Sequence, residues 1–336
     1  MQTDYDVIII GAGPAGASCA KHLVENGVKT LIIEKRTLPR YKCCGGLLSK
    51  RSVDFLKTNF GDIPENILSN PKSVTLKMSK TGNSFFDIDK NEWVSVKRHL
   101  FDYWLINESK VELRENSFFI SFIEEEGYIK IKYRNNDKDN YVTCNYLVGA
   151  CGGVGTTRRL LDNSININTV IGYKQFIYEG NSNIEKKYYY YLLGKKYTDM
   201  FSCFCVKDGL IYIGVSIHIK NLKDNNYFEQ VKNKLKEKFN LELTNLIRKE
   251  ICLSDTSVYD SRFYFGRDNF LLIGESSGFL SSLGEGISSA LISGKLASLA
   301  IIDSIKTEKK PISLYSEMVA IEKEDILKTF NVGRSL

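Results

Sequence analysis

Residues 5–34 restrict this chain more than any other stretch. A short apolar run rich in β-branched residues, Tyr5–Ile10, leads straight into Gly11-Ala12-Gly13-Pro14-Ala15-Gly16. Residues 17–26 then read as a helix with Gly27 at its C-terminus, and residues 29–33 as a second strand running into Glu34. In such a βαβ unit the first glycine permits the tight turn, the second lets backbone approach a diphosphate, and the third lets helix and strand pack closely. The helix N-terminus adds unpaired N–H groups and about half a positive charge. Glu34 stands 21 residues after Gly13, where a carboxylate accepts hydrogen bonds from a ribose diol. A 2′-phosphate would be repelled there, so the expected dinucleotide is FAD or NAD rather than NADP.

The 336 residues suffice for about two domains. Hydrophobic content of 43%, charged content of 26% and only five prolines describe a folded globular chain without long linkers. No targeting pattern precedes the first strand, and the most apolar region, 279–302, is interrupted by Glu285 and Lys295, so a cytoplasmic protein without a membrane span is expected. Eight scattered cysteines and three isolated histidines show no metal-ligand spacing and no disulfide framework. The net charge of +6 is spread among acids; it suits a solvated surface or weak contact with anionic lipid, and no nucleic-acid module is present.

Further along, residues 51–59 and 98–107 read as helices, and 70–87 as a hairpin about 80–83. Residues 93–96, 111–114, 118–124, 128–134 and 141–148 read as strands, and 165–216 as an almost continuous strand-rich region thick with Tyr, Phe and Ile. Helices are expected at 227–239, 243–250, 287–304 and 315–332, with strands at 263–265 and 270–273. A second glycine-rich stretch, 274–286, follows an apolar strand and leads into a helix. Its turns leave backbone N–H groups at a helix N-terminus, suited to the pyrimidine edge of a flavin, and Glu275 suits ribityl or ribose hydroxyls.

These stretches together resemble the geranylgeranyl reductase family of FAD-dependent oxidoreductases, within the wider para-hydroxybenzoate hydroxylase fold and nearest its bacterial CbrA-like branch. The resemblance rests on residues 11–16 with Glu34, Cys44-Gly45-Gly46-Leu47-Leu48, Arg98 to Asp102, 146–150 with Arg158-Arg159, and 269–286, in family order. It implies FAD contacts from Gly11, Gly13, Pro14, Ala15, Gly16, Glu34, Lys35, Cys44, Gly45, Arg98, Gly152, Gly274, Glu275, Gly284, Gly286 and Ile287. It places Cys44 near a reacting double bond as a proton donor, with Arg40 and Lys42 nearby to acidify it. Cys44 as mere filling beside the flavin, a Cys43–Cys44 disulfide, and Arg98 as a surface partner of Asp102 are the alternatives. Two departures stand out. Ala150-Cys151-Gly152 replaces the family's Ala-Asp-Gly, and 201–205 lacks the aromatic-x-Trp motif of the substrate-facing sheet.

The expected architecture is α/β: a discontinuous Rossmann-like FAD-binding domain (1–70, 97–164, 262–306), an inserted, mainly antiparallel β-sheet substrate domain (71–96, 165–261) and a C-terminal helical segment (307–336). The expected activity is reduction of C=C bonds in an apolar, isoprenoid-type substrate by hydride from reduced flavin, with NAD(P)H or a ferredoxin-type protein as electron source. A flavin monooxygenase using NAD(P)H and oxygen is the alternative, and a non-catalytic lipid-binding protein the remote one.

Overall fold

The computed structural model describes residues 2–89, 91–161, 169–256 and 262–335. It divides into one unit of Met1–Arg40, His99–Asn166 and Asp255–Leu336, and a second of Tyr41–Arg98 and Ile167–Ser254.

In the first unit Tyr5–Ile10 lies inside an eight-stranded sheet. It pairs in parallel with Thr30–Ile33 on one side and Lys138–Gly149 on the other. Glu112–Arg114 and Phe270–Leu272 extend the parallel order outward. Val7, Ile8 and Ile9 are fully buried, as a central parallel strand covered on both faces requires. The hairpin of Ser117–Glu125 and Tyr128–Asn135 packs Phe119, Ile129 and Ile131 into one apolar core with Ile8, Leu31, Leu147 and Phe270. The motif helix, Pro14–Glu25, starts with proline where a missing N–H is harmless.

The long helix Ile287–Thr307 lies against that motif helix. A Cβ on Gly294 would meet Ala15 O at 2.3 Å, and Ser18 Oγ donates to Leu291 O at 2.6 Å. By length and composition this helix could cross a membrane, yet 72% of its most apolar window is buried inside the protein. Two shorter helices, Pro311–Met318 and Ala320–Ser335, follow it; the sequence suggested one, and the chain breaks at Val319.

The second unit is built on a nine-stranded sheet in the order Glu242–Asp255, Val170–Asn181, Leu210–His218, Ser202–Lys207, Tyr188–Leu192, Leu68–Ser79, Trp93–Val96, Leu47–Leu48, with Phe86–Asp87 paired to Leu68–Ser79. From Val170–Asn181 to Leu47–Leu48 pairing is antiparallel except between Tyr188–Leu192 and Leu68–Ser79. Side chains alternate across a strand. Phe176, Tyr190, Phe204, Ile213 and Val215 take one face and pack under the helix Asn226–Phe239 through Phe228, Val231 and Leu235. Tyr173, Gln175, Tyr189, Cys203, Cys205 and Lys207 occupy the alternate positions and form the other face.

Two expectations for local structure fail. Residues 243–250 are not a helix but part of the edge strand Glu242–Asp255. Their apolar residues recur at helical spacing, but Leu246, Ile247 and Ile251 are all exposed and line no core. Residues 263–265 are no strand; Phe263 and Phe265 pack by their rings on Phe279, and Phe265 on the buried Tyr315. Residues 41–70 cluster with the second unit because Leu47–Leu48 and Leu68–Ser79 belong to its sheet, and 307–336 cluster with the first. The 165–168 part of the strand-rich region lies outside the described residues.

Candidate active site

The glycine loop of the first unit divides its three glycines between packing and open space. Gly11 has φ +112°, and a Cβ there would sit 2.6 Å from Ala150 O. A Cβ on Gly16 would sit 2.1 Å from Gly11 O, so helix and strand touch through it. A Cβ on Gly13 would meet nothing within 4 Å. The first and third glycines are therefore needed by the protein itself, and the second opens on empty space.

Glu34, only 4% exposed, closes this loop from below. Its Oε2 accepts from Ala12 N at 2.9 Å and its Oε1 from Arg36 N at 3.1 Å. Arg40 Nε lies 3.4 Å from Glu34 Oε1, Arg40 Nη1 pairs with Asp102 at 3.1 Å, and Arg40 Nη2 donates to Ala12 O at 3.4 Å. Arg40 thus links two carboxylates to the loop. The pairing of Arg40 with Asp102 was not anticipated from the sequence. Lys35, next to Glu34, is exposed.

The second glycine cluster meets the first through its backbone. Gly274 has φ +59°, and a Cβ there would lie 3.0 Å from Ala15 Cβ. Its N–H donates to Ser293 Oγ at 2.9 Å. Ser276 Oγ accepts from Gly152 N at 3.0 Å and donates to Gly152 O at 3.1 Å. Arg158 donates to Ser276 O at 3.2 Å and pairs with Asp255 at 3.1 Å, both side chains being buried. Cys151 turns its Sγ to Thr157 Oγ1 at 2.8 Å. Glu275 Oε1 is buried and has no hydrogen-bond partner among the described residues. At the start of the long helix, Gly284 has φ +78°, Gly286 is the cap, and Ile287 is buried. Part of the anion-attracting end is already used: Glu285 accepts from Ser288 N at 2.9 Å.

Cys44, Gly45 and Arg98 belong to the second unit and are described within it. The Cys43–Gly46 turn rests on the polar face of the sheet. Gly45 and Gly46 are demanded from beneath: a Cβ on Gly45 would meet Tyr189 Oη at 2.7 Å, and one on Gly46 would meet Lys207 Nζ at 2.7 Å and Val96 O at 2.3 Å. The Arg98 side chain lies alongside, 3.5 Å from that same point. Cys44 Sγ accepts from Gly46 N at 3.4 Å. All eight cysteines are free thiols, so the vicinal disulfide is absent. The two neighbours differ: the Cys252 thiol and burial push the Cys43 thiol far up, whereas Cys44 is partly exposed. Beneath them Tyr173 and Tyr189 both direct their hydroxyls at Cys203 Sγ, each at 2.9 Å. Lys207 and Gln175, unremarked in the sequence, are the buried polar side chains of this face. The one legible signal was a lysine ending an otherwise apolar strand.

The sequence model of the FAD-binding domain family matches residues 4–251. The chain belongs to that family. Protein CbrA of Escherichia coli O157:H7 is 28% identical over 302 residues, covering 87% of this chain and 82% of its own length. A geranylgeranyl bacteriochlorophyll reductase-like protein from Thermoplasma acidophilum superposes with a TM-score of 0.81 at 19% identity, over 97% of this chain and 85% of its own. A triple mutant of the flavin-dependent brominase Bmp2 gives 0.72 at 18%, over 93% and 84%. The structural likenesses establish the α/β fold with its FAD-binding domain. Within the FAD-binding domain family the residues of the first unit fit the cofactor: open space above Gly13 suits a diphosphate, and the orphaned Glu275 oxygen suits a donor hydroxyl.

Proposed function

We propose that this FAD-dependent oxidoreductase reduces carbon–carbon double bonds of an apolar, isoprenoid-type substrate. The observation that carries the reading is the Cys43–Gly46 turn, set with a partly exposed thiol on a sheet face lined by Tyr173, Tyr189 and Cys203. The likeness to a reductase-like protein supports it at the level of fold.

In this reading Gly13 and the N-terminus of Pro14–Glu25 take the diphosphate, flanked by Pro14, Ala15 and the packing glycines Gly11 and Gly16. Glu34 with Lys35 takes the adenosine ribose. Gly152, Gly274 and Glu275 take the ribityl chain, with Arg98 and Gly45 as further contacts. Gly284, Gly286 and Ile287 present amides to the ring. FAD, when bound and reduced by the electron donor, would supply the hydride. Cys44 gives the proton, and the aromatic face excludes water and orients the chain of the substrate. The electrons come from NAD(P)H or a ferredoxin-type protein.

The test is anaerobic. Bleached, reduced enzyme regains its yellow absorbance on addition of geranylgeranyl compounds; failure to do so removes the substrate assignment. The likeness to a brominase keeps an oxygen-using reading as the second choice. Oxygen uptake stimulated by an aromatic or lipophilic compound, with no anaerobic reoxidation, would favour it.

Peripheral contact with an anionic membrane is part of the proposal. Lys80, Lys195, Lys196 and Lys238 are exposed at or near the turn at 80–83. Lys234 and Lys238 both bond Asn83, Tyr197 Oη donates to Thr81 O, and Phe86 is 49% exposed on the same hairpin.

A further inference from the structure

Lysine is rarely buried without a carboxylate partner, because removing an ammonium from water is expensive. Lys207 is only 6% exposed, and its Nζ donates to two backbone carbonyls, Gly45 O at 2.9 Å and Val96 O at 2.8 Å. The strand that carries it, Ser202–Lys207, is buried along its whole length. Gln175, 2% exposed, acts beside it. Its Nε2 donates to Cys44 O at 3.2 Å, and its Oε1 accepts from Tyr41 Oη. Two successive carbonyls of the turn, those of Cys44 and Gly45, are thus held from the sheet by two buried side chains. Val96 N closes the same turn from its far side by donating to Gly46 O at 2.8 Å.

We infer that Lys207 and Gln175 are the positioning residues of Cys44, holding the turn in which the Gly46 amide meets the Cys44 sulfur. Charge-assisted bonds are the stronger kind, and an ammonium with two carbonyl acceptors fixes both peptides at once. Gly46 is required there by its φ of +70° and by Val96 O, which a Cβ would meet at 2.3 Å, and Lys207 Nζ stands at 2.7 Å from the same point. The ionisable groups around Lys207 are Cys44, Cys205, Asp208 and Arg98. Asp208 does not pair with it by contact but accepts from Asn70 N at 2.8 Å. The inference rests on the proposed role of Cys44 and names what sets that residue in place.

Amide hydrogen exchange on the full-length holoenzyme tests it without any substrate. Lys207→Met should speed exchange over residues 43–47 at least tenfold, while strands 202–207 and 210–218 keep their protection. Lys207→Gln, which retains a donor without the charge, should restore the turn to within threefold of wild type. Gln175→Leu should loosen the same segment, and it carries the test should Lys207→Met not fold. Unchanged protection of 43–47 in these variants, equal loosening of the whole sheet, or no rescue by glutamine would overturn the assignment. In the reductase assay Lys207→Met should lower kcat about tenfold and leave KM within twofold. A wild-type enzyme that reduces no isoprenoid would sink the proposed function and leave the exchange result standing.

Discussion

Gly13 and Gly16 lie three residues apart and should respond to substitution in opposite ways. A methyl on Gly13 enters open space, so Gly13→Ala should leave the melting temperature of the apoprotein within about 1 °C, an effect of a few tenths of a kcal/mol. The same change should weaken FAD binding at least tenfold, read by quenching of flavin fluorescence. A methyl on Gly16 strikes Gly11 O, and Gly16→Ala should destabilise the apoprotein by about 1–3 kcal/mol, as overpacking does. Equal stability losses for the two variants would show that the space over Gly13 is not kept for a ligand. Glu275→Gln tests the other side of the site. It replaces a buried carboxylate oxygen that has no partner, so apoprotein stability should hold or rise while FAD affinity falls. A loss of stability without a loss of affinity would make Glu275 a structural residue.

Among the elements, the strand Ser202–Lys207 is sensitive to alkali in its energetics, although it is buried in space. Burial pushes the Cys203 thiol up to about 11 and the Cys205 thiol up to about 12, from about 9. Between pH 9 and 11 the unfolded chain has lost protons that the folded chain keeps. Stability is therefore intact below pH 9 and falls as pH rises, by roughly 1 kcal/mol per pH unit for each thiol. Urea melts at pH 7.5 and 10 should show the fall, in which the raised thiols of Cys19, Cys43 and Cys144 share, so Cys205→Val should remove about a fifth of it. The same strand shows where the sequence was legible. The βαβ unit could be read because its glycines, helix start and acid each answer a local requirement. The sheet order could not, since pairing Tyr188–Leu192 in parallel with Leu68–Ser79 depends on residues more than a hundred positions apart. Arg40 shows the same limit: its partners Glu34 and Asp102 meet only in the fold. The edge strand Glu242–Asp255 misled because periodicity reports a core face, and here Leu246, Ile247 and Ile251 face water.

For the whole molecule, a cofactor held by so many backbone groups should act as a folding ligand. FAD at one hundred times its dissociation constant should add about 2.7 kcal/mol, raising the melting temperature by several degrees. No shift with FAD would contradict the family's defining property. The lysine-rich hairpin region makes a separate prediction. The protein should float with vesicles rich in phosphatidylglycerol and not with phosphatidylcholine alone, and 0.5 M salt should release it. Retention on neutral vesicles, or none on anionic ones, would reject the membrane contact. The seat of Gly294 on Ala15 has a bearing on synthesis. The nucleotide loop leaves the ribosome some 280 residues ahead of the helix that roofs it. At ordinary elongation speeds the loop waits on the order of ten seconds or more for its cover, so cofactor capture should follow the emergence of that helix.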